Sequence, residues 1–237
     1  MKEINTTCGY PHQTRTSHYR RVTIAFLVIT SFCVGVRFAR TVYMWDGMPF
    51  DDALCLVAYL GSIALGVINL KGLAPNGLGA HIWTLTFHQI TNSYKWIYGA
   101  TVIYIAEVGL QKLIMIAFYL RIFPIKPVRR VLWGTAAFIL AFTLAYLFYS
   151  LFQCHPINHF WNGWDGEHKG YCLVSVGPIM SHTVINTALD LWVIIIPLFQ
   201  LSRLQMRLRT KLAAGLMFAV GGSYEAFIPF FFFFFLF

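Results

Sequence analysis

The sequence predicts an all-α fold, a polytopic membrane helix bundle. Of its 237 residues, 58% are hydrophobic and only 11% are charged, against about 25% charged in an ordinary globular domain. The mean hydropathy is +0.63. A soluble domain of this length could not cover so much apolar side chain, and a disordered chain would contain far less of it. Five cysteines are too few for a disulfide-rich scaffold, in which about 8–10% of residues are cysteine.

Six segments are apolar and long enough to cross a bilayer, which takes about 20 residues. They follow a polar, basic N-terminal tail at residues 1–21, and they lie near residues 22–43, 52–70, 96–118, 131–152, 174–197 and 212–237. The first is interpreted as an uncleaved span, because its apolar run continues past the length of a signal peptide without a clear cleavage site. The sixth is irregular and ends in a run of phenylalanines from Phe230 to Phe235.

Basic residues in the linkers predict the orientation of the spans. The linkers after spans three and five lie on the same side of any alternating topology, and they carry Arg121, Lys126, Arg129, Arg130, Arg203, Arg207, Arg209 and Lys211. Cytoplasmic loops are enriched in lysine and arginine, so we expect these linkers inside and the N-terminus outside. We therefore attribute the net charge of +9 to the orientation of the protein in the membrane, and we expect no nucleic-acid partner.

An N-glycosylation sequon in the tail, Asn5-Thr6-Thr7, agrees with an outer N-terminus if it is used; the alternative is that it is unused. The linker after span four is predicted to lie outside as well. It is flanked by Cys154 and Cys172, which can form a disulfide in that compartment. The alternatives are two free thiols or competition from Cys8.

The histidines of the same linker lack the close ligand pairs of a structural zinc site, so no metal is expected there. Trp161 and Trp164 lie in this linker. Tryptophan is enriched at the level of the lipid headgroups, and we expect both side chains to anchor the loop at that level.

Three ionisable residues lie within predicted spans: Glu107 and Lys112 in the third and Asp190 in the fifth. Charges at this depth are costly and usually face the interior of a bundle. At 1.5 Å per residue, Glu107 lies about 21 Å and Lys112 about 14 Å from Arg121, and Asp190 lies about 20 Å from Arg203. These depths predict one buried charge network. It is either a static pair that fixes helix packing, or a conformational switch or polar floor for a ligand.

A second set of charges lies where span one ends and span two begins. Asp51 and Asp52 open span two, where carboxylates complement the helix dipole. Arg37 and Arg40 lie near the end of span one, within reach of those carboxylates. The sequence predicts helix capping, with ion pairs to one or both arginines.

Taken in order, these features resemble the fungal rhodopsin-domain family of integral membrane proteins. The series comprises Arg37 to Arg40, Asp51-Asp52, the turn Gly77 to His81, Lys112 leading into Tyr119-Leu-Arg121-Ile-Phe123, Cys154-His-Pro156 with Trp161 and Cys172, Asp190 with Pro197, and Leu204-Gln-Met206 with Lys211. The resemblance implies a seven-helix, receptor-like protein of the plasma membrane, with an extracellular ligand and a cytoplasmic signalling partner. It ends before a seventh helix, so a truncated chain is expected. Retinal is not expected as a cofactor, since no lysine follows Lys211.

Three functions remain after these exclusions. The first is a receptor-like protein that senses an extracellular cue. The second is a small transporter or channel that uses Glu107, Lys112 and Asp190, and the third is a non-signalling fragment. An enzyme is not expected, because the sequence contains no zinc-protease, nucleophile-elbow or phosphate-binding motif.

A double-mutant cycle tests the predicted charge network. Lys112→Ala should lower thermal stability in detergent more than the double variant Lys112→Ala, Asp190→Asn does, because the single variant leaves a buried carboxylate without its partner. Additive effects of the two substitutions would argue against contact between these side chains.

Overall fold

The computed structural model describes residues 16–43, 50–78, 85–123, 125–173 and 176–203, of which residues 122, 176 and 198–203 are described by their backbone alone. Five long helices make up most of it: α1 (Thr16–Tyr43), α2 (Phe50–Val67), α3 (Phe87–Ile122), α4 (Lys126–Phe152) and α5 (Val176–Arg203). All five are long and apolar enough to cross a membrane. The predicted span at residues 212–237, the sequon at Asn5 and the alternative partner Cys8 lie outside the described residues.

The helices extend beyond the apolar segments that predicted them. The third predicted span begins at residue 96, whereas α3 begins at Phe87. Thr86 and Gln89 form a capping box there: the Gln89 backbone N–H donates to the Thr86 hydroxyl at 3.3 Å, and the Thr86 N–H donates to the Gln89 side chain at 3.0 Å. This reciprocal pair satisfies donors that a helix start leaves free. Hydropathy locates the part of a helix inside the hydrocarbon core, and polar capping residues decide where the helix starts.

The chain divides into two compact units. The first comprises Met1–Ile114 and Thr143–Leu173, and the second comprises Met115–Phe142 and Val174–Phe237. Both α3 and α4 therefore contribute residues to each unit.

Glycines permit the closest helix contacts of the first unit. A Cβ on Gly66 of α2 would lie 2.6 Å from Leu27 of α1, and a Cβ on Gly109 of α3 would overlap Thr143 of α4. Small residues at such positions let membrane helices approach closely. The hydroxyl of Tyr59 also donates to Ser31 at 2.9 Å, which adds a polar link between α2 and α1.

A π-helical segment, Ile68–Leu73, continues α2 and ends in a turn that α3 holds by polar contacts. Asn76 in this turn accepts hydrogen bonds from Asn92 at 3.2 Å and from Ser93 at 2.9 Å. Gly77 has φ +92°, a conformation that favours glycine because it has no Cβ. The turn is therefore fixed against the N-terminal part of α3.

The second unit has its own apolar core. Its most buried side chains come from α3, α4 and α5, and they include Ile116, Tyr119, Leu132, Ile139 and Val193. The indole N–H of Trp192 donates to the hydroxyl of Thr135 at 3.1 Å, which links α5 to α4. The helix α5 continues through Pro197 to Arg203.

Two short strands are the exception to the predicted all-helical fold within the described chain. β1 (Cys154–His155) and β2 (Tyr171–Cys172) pair antiparallel, with Cys154 opposite Cys172. Between them lie a four-residue helix, His159–Asn162, and a single 3-10 turn, Gly163–Asp165. The segment after α4 is therefore a folded hairpin.

A glycine substitution tests the close approach of the π-helical segment to α3. A Cβ on Gly72 would lie 2.5 Å from the ring of Trp96, so Gly72→Ala should destabilise the protein by about 1–3 kcal/mol through overpacking. Gly99→Ala is the matched control, because nothing lies within 4 Å of its Cβ position. In α3 this control should gain up to about 1 kcal/mol of helix propensity. Thermal unfolding in detergent measures both, and equal stabilities would disprove the contact.

Candidate functional site

Arg37 joins the two carboxylates that open α2. Its Nη2 donates to Asp51 at 2.8 Å and its Nε donates to Asp52 at 2.7 Å. Both aspartates are 5% exposed. Thr41, one turn beyond Arg37 on α1, donates its hydroxyl to the second oxygen of Asp52 at 2.7 Å. One guanidinium and one hydroxyl thus neutralise and orient two buried acids.

Arg40, the other arginine named from the sequence, is exposed and makes no salt bridge with the residues described here. At 100° per residue, Thr41 leaves α1 about 40° from Arg37 on one side and Arg40 about 60° from it on the other, and Asp52 lies on the side of Thr41. The spacing along α1 therefore selects Arg37 and Thr41 as the partners of the acids.

Glu107 lies against α2, deep in the first unit. Its side chain is buried, at 6% exposure, and it has a hydrogen bond with Ser62. A Cβ on the adjacent Gly61 would overlap its carboxylate, so the glycine provides the space for it. The second oxygen, Oε2, is buried and has no hydrogen-bond partner among the residues that the structure describes. A buried polar atom without a partner is costly and marks this residue as a functional candidate.

The other two members of the predicted network belong to different compact units. Lys112 lies five residues after Glu107 on α3 and is 2% exposed. At 100° per residue the two side chains leave the helix about 140° apart. Asp190 belongs to the second unit, where Asn186 donates to it at 3.4 Å. Contact between Asp190 and the residues of α3 stays a prediction.

Sequence reasoning missed two polar neighbours of Asp190. His182, Asn186 and Asp190 are spaced four residues apart on α5, and this spacing places them on one helix face. The ring of His182 stacks on Phe142 of α4, with centroids 5.6 Å apart. The sequence pattern that could have revealed them is the recurrence of polar residues at four-residue intervals within an apolar segment. They give α5 a polar stripe within the second unit.

A disulfide closes the hairpin after α4. Cys154 and Cys172 are bonded through their sulfur atoms, whereas Cys33 and Cys55 are free. Closing a loop of this length contributes about 3 kcal/mol in a chain-entropy model. Backbone and side-chain hydrogen bonds add to it: the Leu173 N–H donates to Gln153 at 2.7 Å, and the Tyr149 hydroxyl donates to the Leu173 carbonyl at 2.6 Å.

Aromatic residues dock this hairpin on the N-terminal part of α3. The ring of Tyr98 lies 5.2 Å from Phe160 and 5.8 Å from Trp161. The indole N–H of Trp164 donates to Thr91 at 3.0 Å, and its ring lies 5.6 Å from Phe87. Both tryptophans were expected to anchor the loop at the lipid headgroups, and in the structure both contact α3. The early start of α3 at Phe87 explains this, because it provides the surface that they pack against.

No group of three or more histidine, cysteine or acidic residues within the described ranges is arranged to hold a metal. The site features are instead a paired charge cluster, a buried carboxyl, a polar stripe on α5 and a disulfide-closed loop. Together with the five apolar helices of the described chain, these features define a multi-pass helical membrane protein with buried polar groups.

Residues 36–227 match the family model described as the fungal rhodopsin domain, and the chain belongs to that family. It is 30% identical over 153 residues to a SAT4 family membrane protein of Emericella nidulans, covering 62% of this chain and 38% of that protein. It is 24% identical over 197 residues to the receptor GIN3 of Arthrobotrys oligospora, covering 83% of this chain and 47% of that protein.

A third relative is the polyenoic acids biosynthesis gene cluster protein Ba17b of Metarhizium anisopliae. It is 23% identical over 202 residues, which are 84% of this chain and 55% of that protein. The chain spans about half the length, or less, of these curated relatives. No solved structure matches it.

Arg37→Ala tests the charge cluster between α1 and α2. It removes the guanidinium that binds both buried carboxylates, and we expect a loss of about 1.5–3 kcal/mol, the usual range for hydrogen bonds to charged groups. Arg40→Ala removes an exposed arginine from the same helix end and should change stability by less than about 0.5 kcal/mol. Thermal unfolding in detergent measures both variants. Similar losses for Arg37→Ala and Arg40→Ala would contradict the assignment of Arg37 as the partner.

Proposed function

We propose that the chain is part of a receptor-like protein of the plasma membrane that senses an extracellular cue and couples it to cytoplasmic partners. The observation that carries the proposal is the continuity of α3. Its outer end supports the disulfide-closed hairpin through Tyr98 and Thr91. Its inner end leads directly into the basic turn, defined as residues 121–130.

A continuous helix is a suitable element for signal transfer. At 1.5 Å per residue, the 36 residues of α3 extend over about 54 Å, which exceeds the hydrocarbon thickness of a bilayer. Shifts of about 1–2 Å in whole helices are an established way of switching membrane and allosteric proteins. A ligand that displaces the hairpin would thus move the helix that ends at the basic turn.

The name of one relative points in the same direction, since the protein of Arthrobotrys oligospora is called a receptor. In this proposal the N-terminus and the hairpin face outwards and the basic turn faces the cytoplasm. The protein acts without enzymatic chemistry and without retinal. The orientation rests on the distribution of lysine and arginine between the linkers.

The second candidate is a small transporter or channel. The buried carboxyl of Glu107, with one oxygen that has no partner in the structure, favours it, because ionisable groups within membrane helices often mark ion or proton pathways. Lys112 and Asp190 would be further groups of that pathway. Under this alternative, purified protein in proteoliposomes would carry a flux that Asp190→Asn abolishes.

A reporter assay tests the receptor proposal. The full-length protein is expressed in a yeast strain with a G-protein-dependent transcriptional reporter, and fractions of fungal culture medium are the probe. We expect at least one fraction to raise the reporter signal. Removing the disulfide with Cys154→Ala, Cys172→Ala should reduce this response at least about tenfold, because the hairpin loses about 3 kcal/mol of loop-closure stabilisation.

The matched control is Cys33→Ala, Cys55→Ala, which removes two cysteines that are free in the structure. This variant should respond as the unmodified protein does, at equal surface expression. A full-length protein that is insensitive to every fraction would contradict the proposal. Flux in proteoliposomes without any reporter response would instead establish the transporter.

A further inference from the structure

The turn between α3 and α4 is short and firmly packed. α3 ends at Ile122 and α4 begins at Lys126. Phe123 and Val128 are 8% and 6% exposed, and the Phe123 N–H donates to the Tyr119 carbonyl at 2.9 Å. Two buried apolar side chains thus fix the turn and determine which of its residues point outwards.

The outward residues of this basic turn are cations. Arg121, Lys126, Arg129 and Arg130 are all exposed. No aspartate or glutamate occurs in the sequence between Glu107 and Asp165. Within the described part of the chain, Lys126, Arg129 and Arg130 form no salt bridge with a carboxylate. The turn therefore presents concentrated positive charge.

The cations at the start of α4 interact unfavourably with the dipole of their own helix. The first turn of a helix is the positive end of its dipole, where acidic residues are stabilising and basic residues are not. The first turn of α4 contains no acidic residue. Three cations here gain nothing from their own helix, so their charge is available to an anion outside the protein.

The neighbouring residues indicate where that anion lies. Trp133 is 61% exposed and Val131 is 47% exposed, within the apolar part of a helix that can cross the membrane. Trp133 follows Arg129 by four residues and Arg130 by three, so the three share one helix face. Tryptophan is enriched at the headgroup boundary of membrane helices. We therefore expect lipid headgroups beside Arg129 and Arg130.

The length of α4 also places the cations at the level of the lipid headgroups. From Val131 to Phe152 the helix extends about 33 Å at 1.5 Å per residue, which accounts for the roughly 30 Å hydrocarbon core. Residues 126–130 then lie in the headgroup layer. Arginine binds phosphate through paired hydrogen bonds, and lysine binds it as a point charge.

We propose that the basic turn binds anionic phospholipid headgroups, with preference for those that carry additional phosphate groups. The ligand is the headgroup of a bilayer lipid, held by Lys126, Arg129 and Arg130 beside the lipid-facing Trp133. Anionic lipids are concentrated in the cytoplasmic leaflet, the side on which the lysine and arginine distribution places this turn. Binding would hold the inner ends of α3 and α4 at the membrane surface.

The experiment measures lipid binding by the full chain in detergent micelles. The probes are dioctanoyl phosphatidylinositol bisphosphate, dioctanoyl phosphatidylcholine, free inositol trisphosphate and a polyglutamate peptide. The unmodified chain should bind the phosphoinositide at least about tenfold more tightly than the other three. Lys126→Gln, Arg129→Gln, Arg130→Gln should weaken phosphoinositide binding by about 100-fold, at roughly fivefold per cation.

Two control variants separate this site from general charge and from misfolding. Arg20→Gln, Arg21→Gln, Lys169→Gln removes the same charge from exposed positions on the other side of the spans and should bind as the unmodified chain does. Lys126→Arg, Arg129→Lys, Arg130→Lys keeps the charge and should retain binding within a few-fold.

Three results would overturn the proposal. The first is unchanged phosphoinositide binding by the triple glutamine variant, and the second is an equal loss in the Arg20, Arg21 and Lys169 control. The third is tighter binding of inositol trisphosphate, which would indicate a soluble phosphate, or of a polyglutamate peptide, which would indicate a protein partner. The outcome is independent of the reporter assay, because it measures binding by the purified chain alone.

Discussion

The hydrocarbon core of a bilayer contains no water, and most of the structure follows from this constraint. Backbone N–H and C=O groups at that depth must find partners within the protein, and an α-helix satisfies them all internally. The five long helices are the direct result. The same constraint applies to side chains, since a charge within a span needs a partner, a hydrogen bond or a function. The folded hairpin with its two strands lies beyond α4, outside the membrane-crossing segments, where water is available.

Small residues and polar pairs carry much of the helix packing in the first unit. Apolar helices gain little hydrophobic energy by leaving lipid for one another, so close contact and hydrogen bonds must hold them together. Gly66 and Gly109 provide such contacts, and Arg37 with its two aspartates provides the strongest polar link. Gly61 serves a different purpose, because its missing side chain makes room for Glu107.

The two ends of α3 have different chemistry, and both proposals depend on that difference. The N-terminal end is polar and aromatic: Thr91 and Tyr98 hold a hairpin that a disulfide closes. The C-terminal end leads into the turn with Lys126, Arg129 and Arg130, which form no salt bridge with a carboxylate in the described chain. A ligand at the first end and an anionic surface at the second would act on one continuous helix. This gives the receptor hypothesis a physical element that could connect the two sides of the membrane.

The sequence by itself determined the membrane class and predicted the five spans that lie within the described residues, because apolar length is a local property. It offered Cys154 with Cys172 as one of several possible pairings, and the structure decided that these two are bonded. The tertiary structure decided which of two nearby arginines binds the acids, where α3 begins, and that Trp161 and Trp164 contact α3. It also placed Glu107 against Gly61 and Ser62. Each of these depends on which residues of distant segments meet, and contact across a helix interface cannot be derived from the hydropathy of either helix alone.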